Sequence, residues 1–388
     1  MRFDARVRQV NRSAWWVASG AGKYRDPLRW IDVCSDSQMP AAMYERIAHI
    51  LASDPERAAQ GTAIGQSREG RSIQGFRIGS GPFRVSLVGG SHADEPVGPQ
   101  MLRHLVACLD SLSANDPLVA GYEWWIIPHV NPDGEERNRS WAGDPSDAYD
   151  VGAYLEHVVR ELPGDDIEFG YPRDSADTEA RPENRAAWKW WRTAPGPFDL
   201  HASLHGMGFA AGPWHLVEGA WRDRCGHVVA RCSAAAHSLG YVLHDVERGG
   251  EKGFERIERG FCTRPDSRRM REHFEALGDR ATAGLFRPSS MEAIRSLGGD
   301  PLTLVSEVPL FLTPGVGDEL GPPDPVLEAW RARITDWRGR LASGAEASAV
   351  SNEAAAMGMT AMPIRDQMEL QWRLITAGIE QVEGERGC

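Results

Sequence analysis

A histidine and a glutamate stand three residues apart just after an apolar run of the chain. Residues 85–90 read Val-Ser-Leu-Val-Gly-Gly, His92 and Glu95 follow, and His205 occurs much later in a Ser-Leu-His-Gly sequence. Two imidazoles and one carboxylate suit catalytic zinc, which keeps its fourth position open for water. An HxxE pair alone is a weak signal, because a chain with 12 histidines should contain about one by chance. Its place after a strand-like run favours a zinc-dependent hydrolase.

The third ligand has two candidates on one strand-like run. His201 precedes His205 by four residues, so the alternation of a strand points both side chains to the same face. Gly206 predicts the end of the strand, which is where ligands open into a cleft. The pattern favours His205 as the ligand, and His201 is then a core histidine or a hydrogen-bond partner of a ligand.

Length and composition are those of a folded enzyme. The chain has 388 residues, of which 41% are hydrophobic and 25% are charged, enough for one large domain or two ordinary ones. The net charge is -12, and no basic stripe offsets it. We therefore expect no nucleic-acid partner.

The cysteines and the apolar runs predict a compartment. The six cysteines form no CxxC pair and no dense framework, which favours reduced thiols in a cytoplasmic protein. The first residues are polar and lack the apolar core of a signal peptide. No apolar run approaches the roughly 18 residues of a membrane span, so no membrane association is expected.

Apolar runs alternate with helical patterns along the chain, which predicts an α/β fold with a central sheet flanked by helices. Strands are predicted over residues 73–78, 84–88, 123–127, 198–204 and 301–306, and helices over residues 43–51 and 97–109. The stretch between residues 140 and 196 is rich in Asp, Pro and Gly. A loop of that length inside a compact domain is more often functional than idle.

Two more helical patterns occur near the C-terminus. Apolar residues recur at helical spacing in two groups: Val326, Trp330, Ile334, Trp337 and Leu341, and then Met368, Trp372 and Ile375. This spacing predicts a C-terminal helical extension whose helices pack on the sheet. An oligomer interface formed by these helices is the alternative interpretation.

In their order along the chain, these motifs resemble the zinc carboxypeptidase family typified by carboxypeptidase A, over roughly residues 44–312. Residues 64–71 read Ile-Gly-Gln-Ser-Arg-Glu-Gly-Arg and are similar to the lead-in of that family, and residues 131–134 read Asn-Pro-Asp-Gly, as in its turn after the next strand. The resemblance implies an α/β fold with a mixed, mostly parallel central sheet of eight strands between helices. It predicts an N-terminal extension over residues 1–40, a catalytic domain over 41–320 and the helical extension over 321–388.

The resemblance also implies a metal centre and a base. His92 and Glu95 match the first metal pair of the family, and His205 matches its third ligand, so one zinc ion per chain is expected. Glu307, within a Ser-Glu-Val sequence of the last predicted strand, matches the general base. A carboxylate there would take a proton from the zinc-bound water and pass it to the leaving amine.

Three further residues match the substrate-binding part of the family pattern. Arg139, or less favourably Arg137, occupies the region of the arginine that stabilises charge on the carbonyl oxygen. Asn184 and Arg185 match the pair that grips a substrate carboxylate, for which the planar guanidinium is suited. The expected partner is therefore a peptide or small amide with a free carboxylate.

Two departures from the family pattern leave the substrate class open. The chain has no tyrosine after Tyr241, although the family carries one over the substrate before the base. Pro182 replaces an acid two residues before the Asn-Arg pair, so a hydrogen-bond acceptor for a metal histidine is expected elsewhere, with Glu183 as the candidate. The sequence predicts a metallocarboxypeptidase, with a zinc deacylase of small N-acyl amino acids or a catalytically inactive peptide-binding relative as alternatives.

Overall fold

The structure is a computed structural model that describes residues 43, 45–143, 145, 147–317 and 324–387, and these residues form ten β-strands. The strands are β1 (Thr62–Gln66), β2 (Ser72–Ile78), β3 (Phe83–Gly89), β4 (Tyr122–Ile127), β5 (Leu200–Ala210), β6 (Trp214–Glu218), β7 (Arg256–Glu258), β8 (Phe261–Arg264), β9 (Leu302–Leu312) and β10 (Thr360–Ala361). The predicted N-terminal extension over residues 1–40 lies outside the described residues, as does the predicted boundary at residue 320.

Helices connect and flank these strands. They are α1 (Ile47–Ala52), α2 (Val97–Ser111), α3 (Pro117–Ala120), α4 (Pro132–Ala142), α5 (Val151–His157), α6 (Pro182–Trp191), α7 (Gly226–Ser238), α8 (Ser267–Ala276), α9 (Arg280–Leu285), α10 (Ser290–Arg295), α11 (Pro325–Ala342), α12 (Ala347–Ala356) and α13 (Ile364–Gly387), with short 3-10 turns at Pro55–Arg57, Gly219–Arg224 and Glu251–Gly253. None of the described helices is both long enough and apolar enough to cross a membrane.

The sheet is mixed, with its parallel part at the centre. The strand order is β1-β2-β4-β3-β5-β9-β6-β8-β7, and β10 pairs with the far end of β9. Strands β4, β3, β5 and β9 run parallel to one another, whereas β2 and β6 pair antiparallel at either side of this group. The predicted α/β class with a mixed sheet is confirmed, with ten described strands rather than the eight that the family resemblance implies.

Alternation along β5 separates a packing face from a polar face. Leu200, Ala202 and Leu204 belong to the largest apolar cluster, on one side of the sheet, while His201 and His205 point to the other side, as period two requires. Burying a leucine side chain contributes about 1.5–3 kcal/mol, so the apolar face fixes which residues of β5 can face the opposite side.

Helix α13 covers the apolar face of the sheet. Its buried residues include Met368, Trp372 and Ile375, and the indole nitrogen of Trp372 donates a hydrogen bond to the backbone oxygen of Met43, 3.1 Å away. The predicted C-terminal helices are therefore present, and α13 packs on the sheet. The alternative interpretation, an oligomer interface, stays a prediction.

Residue His215 of β6 makes the stability of the fold sensitive to acid. Its buried ring packs against Phe261, with 5.1 Å between ring centroids, and neither ring nitrogen has a hydrogen-bond partner among the described residues. Burial lowers the pKa of His215 to about 3. An imidazole that stays neutral in the folded state contributes stability above its unfolded pKa of about 6.5, and that contribution is lost as pH falls from there towards 3.

We expect the free energy of unfolding to fall between pH 7.5 and pH 5, and to fall by about 2 kcal/mol less in the His215→Phe variant. Phenylalanine keeps the contact with Phe261 but cannot bind a proton. Urea denaturation of both proteins at the two pH values measures the difference. Equal losses of stability in both proteins would show that protonation of His215 does not oppose folding.

Candidate active site

The loop after β3 carries the first two predicted ligands. Gly90 follows the strand with φ of +73°, and a Cβ atom there would lie 2.4 Å from the ring of His129. Only glycine meets both conditions, the positive φ and the close approach. The chain then turns through residues 91–96, which include His92 and Glu95, before helix α2 begins at Val97.

The pairing of β5 with β9 places the third predicted ligand beside the predicted base. His205 and Glu307 are Cα partners in this parallel ladder, and residues paired in this way share a face of the sheet. Strand β5 continues past Gly206 to Ala210, and β9 continues past Glu307 to Leu312. Both residues therefore lie within long strands, although the sequence predicted them at strand ends.

The structure brings His92, Glu95 and His205 together. Nδ1 of His92 lies 2.7 Å from Oε1 of Glu95, and Nδ1 of His205 lies 3.0 Å from Oε2 of Glu95. The two Nδ1 atoms are 3.3 Å apart, and one potential ligand atom from each residue falls within 4.8 Å of the others. Three donors from distant parts of the sequence thus converge on one point.

Mutual interaction sets the charges of this group. Burial alone would raise the pKa of Glu95, but His92 and His205 outweigh it and place that pKa well below its ordinary value. Burial alone would lower the pKa of His205, but the effect of Glu95 is larger, so the pKa of His205 is raised above its ordinary value. Burial and the charge of Glu95 raise the pKa of Glu307 to about 7. A carboxyl group with that pKa can accept and release a proton near neutral pH.

The other ring nitrogen of His205 meets two polar partners. Nε2 lies 2.8 Å from Oγ of Ser203 and 3.1 Å from Oε2 of Glu168. Glu168 is in turn ion-paired with the buried Arg264. These contacts favour a proton on Nε2, which leaves the lone pair of Nδ1 free to bind a metal ion beside Glu95 and His92.

Glu183, the acceptor predicted from the sequence, has other partners. It is completely buried, and its Oε1 atom accepts from the backbone N–H of Arg68 at 2.9 Å and pairs with Arg181 at 3.1 Å. The prediction for Glu183 is therefore wrong, and Glu168 is the acid beside a candidate ligand. Position 168 lies in the long 140–196 stretch, where residue type alone does not single out one acid among many.

An arginine also lies beside the group, but it is Arg160. One Nη atom lies 3.2 and 3.1 Å from the two carboxylate oxygens of Asp94, and the other lies 3.1 Å from Nδ1 of His92 and 3.4 Å from Oε1 of Glu95. Arg139 instead pairs with Glu136, and 70% of its side chain is exposed. The sequence pattern pointed to Arg139, and the contacts single out Arg160.

Of the two residues predicted to bind the substrate carboxylate, Asn184 is buried and Arg185 is partly exposed. Asn184 has no exposed surface, and its amide donates to the backbone oxygen of Ile167 at 2.8 Å. Arg185 is partly exposed on α6, and its buried Nε atom has no hydrogen-bond partner among the described residues. Asn184 therefore positions the 140–196 stretch, whereas Arg185 is available to a ligand.

Two of the motifs support each other structurally. Asp133, in the Asn-Pro-Asp-Gly turn, accepts from Oγ of Ser67 at 2.6 Å and from Nη1 of Arg71 at 2.8 Å. Burial alone would raise the pKa of Asp133, but these bonds lower it. Asn131 caps α4 by accepting from the N–H of Gly134 at 3.0 Å. These contacts anchor the start of α4 to the turn between β1 and β2.

The side chain of His201 is enclosed between hydroxyl groups. Its Nδ1 lies 3.0 Å from Oγ of Ser86, and its Nε2 lies 3.1 Å from Oγ of Ser290. Burial, reinforced by His205, lowers the pKa of His201 to about 3. Both nitrogens are thus engaged and the ring is neutral, in agreement with the interpretation of His201 as a core histidine.

The residues present fit a zinc ion. Oε2 of Glu95 is buried without a well-oriented hydrogen-bond donor, although it lies 3.0 Å from Nδ1 of His205. A cation satisfies such an acceptor. Two imidazoles and a carboxylate also match the three-ligand sets of catalytic zinc. The ligand assignment and the stoichiometry of one zinc per chain stay predictions.

Comparison with known proteins identifies a related family. Residues 43–216 match the family described as zinc carboxypeptidase. Carboxypeptidase D of Rattus norvegicus is 28% identical over a region covering 54% of this chain and 17% of its own length. Zinc carboxypeptidase A 1 of Anopheles gambiae is 27% identical over 36% of this chain and 30% of its own length.

A further curated protein and a solved structure are also similar to this chain. A protein named inactive metallocarboxypeptidase ecm14, from Talaromyces marneffei, is 26% identical over 39% of this chain and 27% of its own length. A metallo-carboxypeptidase structure from Burkholderia cenocepacia aligns with 88% of this chain and 69% of its own, at 13% identity and a TM-score of 0.42.

The matched regions span less than a third of the length of the three curated relatives. The family match nevertheless covers His92, Glu95, Asn184, Arg185 and His205. The resemblance predicted from the motifs is confirmed, and residues 43–216 of this chain are similar to the zinc carboxypeptidase family.

Proposed function

We propose that this protein is a zinc-dependent hydrolase, specifically a metallocarboxypeptidase that cleaves an amide bond next to a free carboxylate. The observation that carries the proposal is the convergence of His92, Glu95 and His205 with Glu307 as the ladder partner of His205. The substrate is a peptide or small amide with a free carboxylate. We also propose a cytoplasmic location, from the lack of a CxxC pair or dense cysteine framework.

Different residues of the chain have different roles in the proposed reaction. Zinc, when bound, supplies a water molecule with a pKa of about 7 and polarises the substrate carbonyl. Glu307 would accept a proton from the attacking water and deliver it to the leaving amine, which its raised pKa suits. Arg185 binds the terminal carboxylate through its planar guanidinium.

Arg160, which lies beside His92 and Glu95, is proposed to stabilise the carbonyl oxygen on which negative charge develops. We expect Arg160→Gln to lower kcat/KM at least tenfold, because a charge-assisted hydrogen bond is worth about 1.5–3 kcal/mol. Its side chain is 46% exposed, which favours the lower end of that range. Arg139→Gln is the matched control, and steady-state kinetics of both variants decides between the two arginines. A larger loss in Arg139→Gln than in Arg160→Gln would restore the assignment made from the sequence.

The inactive alternative has support from relatives that carry that name. Against it, this chain retains the three candidate ligands and Glu307. A deacylase of small N-acyl amino acids would use the same metal and base but a smaller substrate. Metal analysis, together with hydrolysis of C-terminal dipeptides and N-acyl amino acids, separates the three possibilities.

The proposed binding of the terminal carboxylate by Arg185 is tested by removing the charge of that carboxylate. Amidation of the terminal carboxylate should lower kcat/KM at least tenfold, since it removes a bidentate charge-assisted contact of about 1.5–3 kcal/mol. Arg185→Ala should erase most of this preference, and Arg185→Lys should restore little, because an ammonium group cannot reproduce the fork. Equal turnover of free-acid and amidated substrates would contradict the carboxypeptidase proposal.

A further inference from the structure

A large cavity opens beside the candidate base. It has a volume of about 930 Å³, and its wall includes Glu307, Asp94 and Arg160. The part formed by β5 and β6 is apolar and includes Met207, Phe209 and Trp214. The cavity is thus large enough for several substrate residues and begins where the proposed reaction takes place.

Helix α11 forms the opposite wall. The residues that it contributes include Leu327, Trp330, Arg331, Ile334, Arg338 and Leu341. Their spacing of three and four places them on one face of the helix. This wall comes from the C-terminal helices, beyond the region that matches the zinc carboxypeptidase family.

Four arginines and three acidic residues, Asp94, Glu156 and Glu307, line this cavity. Arg248, Arg331 and Arg338 line it together with Arg160. Arg160 is paired with Asp94 and Arg331 with Glu328, but among the described residues neither Arg248 nor Arg338 makes an ion pair. The guanidinium of Arg248 lies over the ring of Phe254, 4.3 Å from its centroid. Two cations that pair with no carboxylate among the described residues, in a chain of net charge -12, favour an anionic ligand in the cavity.

Arg338 lines the same cavity as Tyr154 and Asp94. The hydroxyl of Tyr154 lies 3.4 Å from Asp94, whose neighbour in sequence is the candidate ligand Glu95. Arg338 therefore shares the cavity with residues beside the candidate ligands, along which a substrate approaching the metal would pass.

Arg185 lies on a helix that does not line the cavity. No described residue of α6, which carries Arg185, lines the cavity. If Arg185 binds the terminal carboxylate, the cavity takes the acyl part of the substrate. We propose that this protein prefers peptides with acidic residues directly before the scissile bond, recognised by Arg248 and Arg338. This inference rests on the proposed function and adds the substrate class.

Three peptides with the same terminal residue test this preference. They carry Glu-Glu, Gln-Gln or Lys-Lys before that residue, and we expect kcat/KM at low salt to be about fivefold higher for the glutamate peptide than for the glutamine peptide, as two partly exposed ion pairs permit. The lysine peptide should be the poorest substrate. The ratio should shrink in 0.5 M salt, where the Debye length is only about 4 Å.

Variants assign the preference to these arginines. In Arg248→Gln/Arg338→Gln the ratio of glutamate to glutamine peptide should fall to near one, and Arg338→Glu should favour the lysine peptide. Arg333→Gln is the control on the same helix, since Arg333 faces Glu353 at 3.5 Å and does not line the cavity. It should keep the wild-type ratio.

The inference can fail separately from the proposed function. If the wild-type protein cleaves all three peptides equally, or prefers lysine, the acidic preference is overturned while the hydrolase proposal stands. If no peptide is cleaved, the hydrolase proposal fails, and fluorescence anisotropy with the same peptides, labelled at the N-terminus, decides the inference. Tighter binding of the glutamate peptide, lost in Arg248→Gln/Arg338→Gln, supports it, and equal Kd values overturn it.

Discussion

Replacement of Glu307 by glutamine is expected to lower kcat by about a hundredfold or more while the protein keeps its metal. Glutamine has nearly the same shape but cannot accept a proton from water. Burial and the charge of Glu95 raise the pKa of Glu307 to about 7, which matches a group that must both accept and release a proton at neutral pH. The ladder with His205 fixes its position, so the substitution should change the chemistry and not the placement.

The metal content and the kinetics together decide this prediction. Glu258→Gln, the same substitution at a residue that is 62% exposed on β7, is the matched control and should stay within about twofold of wild type, as expected of a surface change. KM of Glu307→Gln should change little, because the proton transfer belongs to the transition state. Activity within a few-fold of wild type would remove Glu307 from the mechanism.

The central strands could be predicted well because they are buried on both faces. Predictions over residues 84–88 and 123–127 compare with Phe83–Gly89 and Tyr122–Ile127 in the structure. Continuous apolar runs of this kind are typical of parallel strands covered by helices. The alternation of apolar and polar residues in β5 likewise predicted that His201 and His205 share one face of the strand.

The ends of β5 and β9 could not be predicted from local pattern. Gly206 suggested a strand end, yet the two strands remain paired from Leu200 with Leu302 to Ala210 with Leu312. Backbone hydrogen bonds between strands a hundred residues apart outweigh the local preference of one glycine. Strands β6, β7 and β8 were missed because each is short, at three to five residues, and stands beside turns.

The three candidate metal ligands could be predicted from the sequence, but the residues that surround them could not. His92 and Glu95 are close in sequence, and the order of the motifs added His205. Arg160 and Glu168 lie in a stretch without periodicity. Tertiary hydrogen bonds hold this stretch beside the ligands, and one of them runs from the amide of Asn131 to the carboxylate of Glu161, at 2.7 Å. Such contacts depend on tertiary packing, and the sequence could indicate only that the 140–196 stretch was too long to be idle.

The choice between His205 and His201 as third ligand leads to a test with a large expected effect. Both side chains are buried and occupy the same face of β5. Nδ1 of His205 faces Glu95 at 3.0 Å and His92 at 3.3 Å, whereas both nitrogens of His201 face serine hydroxyls. Only His205 therefore presents a free nitrogen to the group.

We expect purified wild-type protein to contain one zinc ion per chain, and His205→Ala to bind zinc about a hundredfold more weakly or worse. Loss of a hydrogen-bond partner of a ligand already costs about 10–100-fold in affinity, so loss of the ligand itself should cost at least as much. His201→Ala removes a buried ring of similar size and is the matched control. It should keep its zinc, although packing loss lowers its stability. Elemental analysis and zinc titration measure both variants, with thermal unfolding to verify that each is folded. If folded His205→Ala keeps its zinc and folded His201→Ala loses it, the third ligand is His201, and the Nδ1 atom of His205 serves only to orient Glu95.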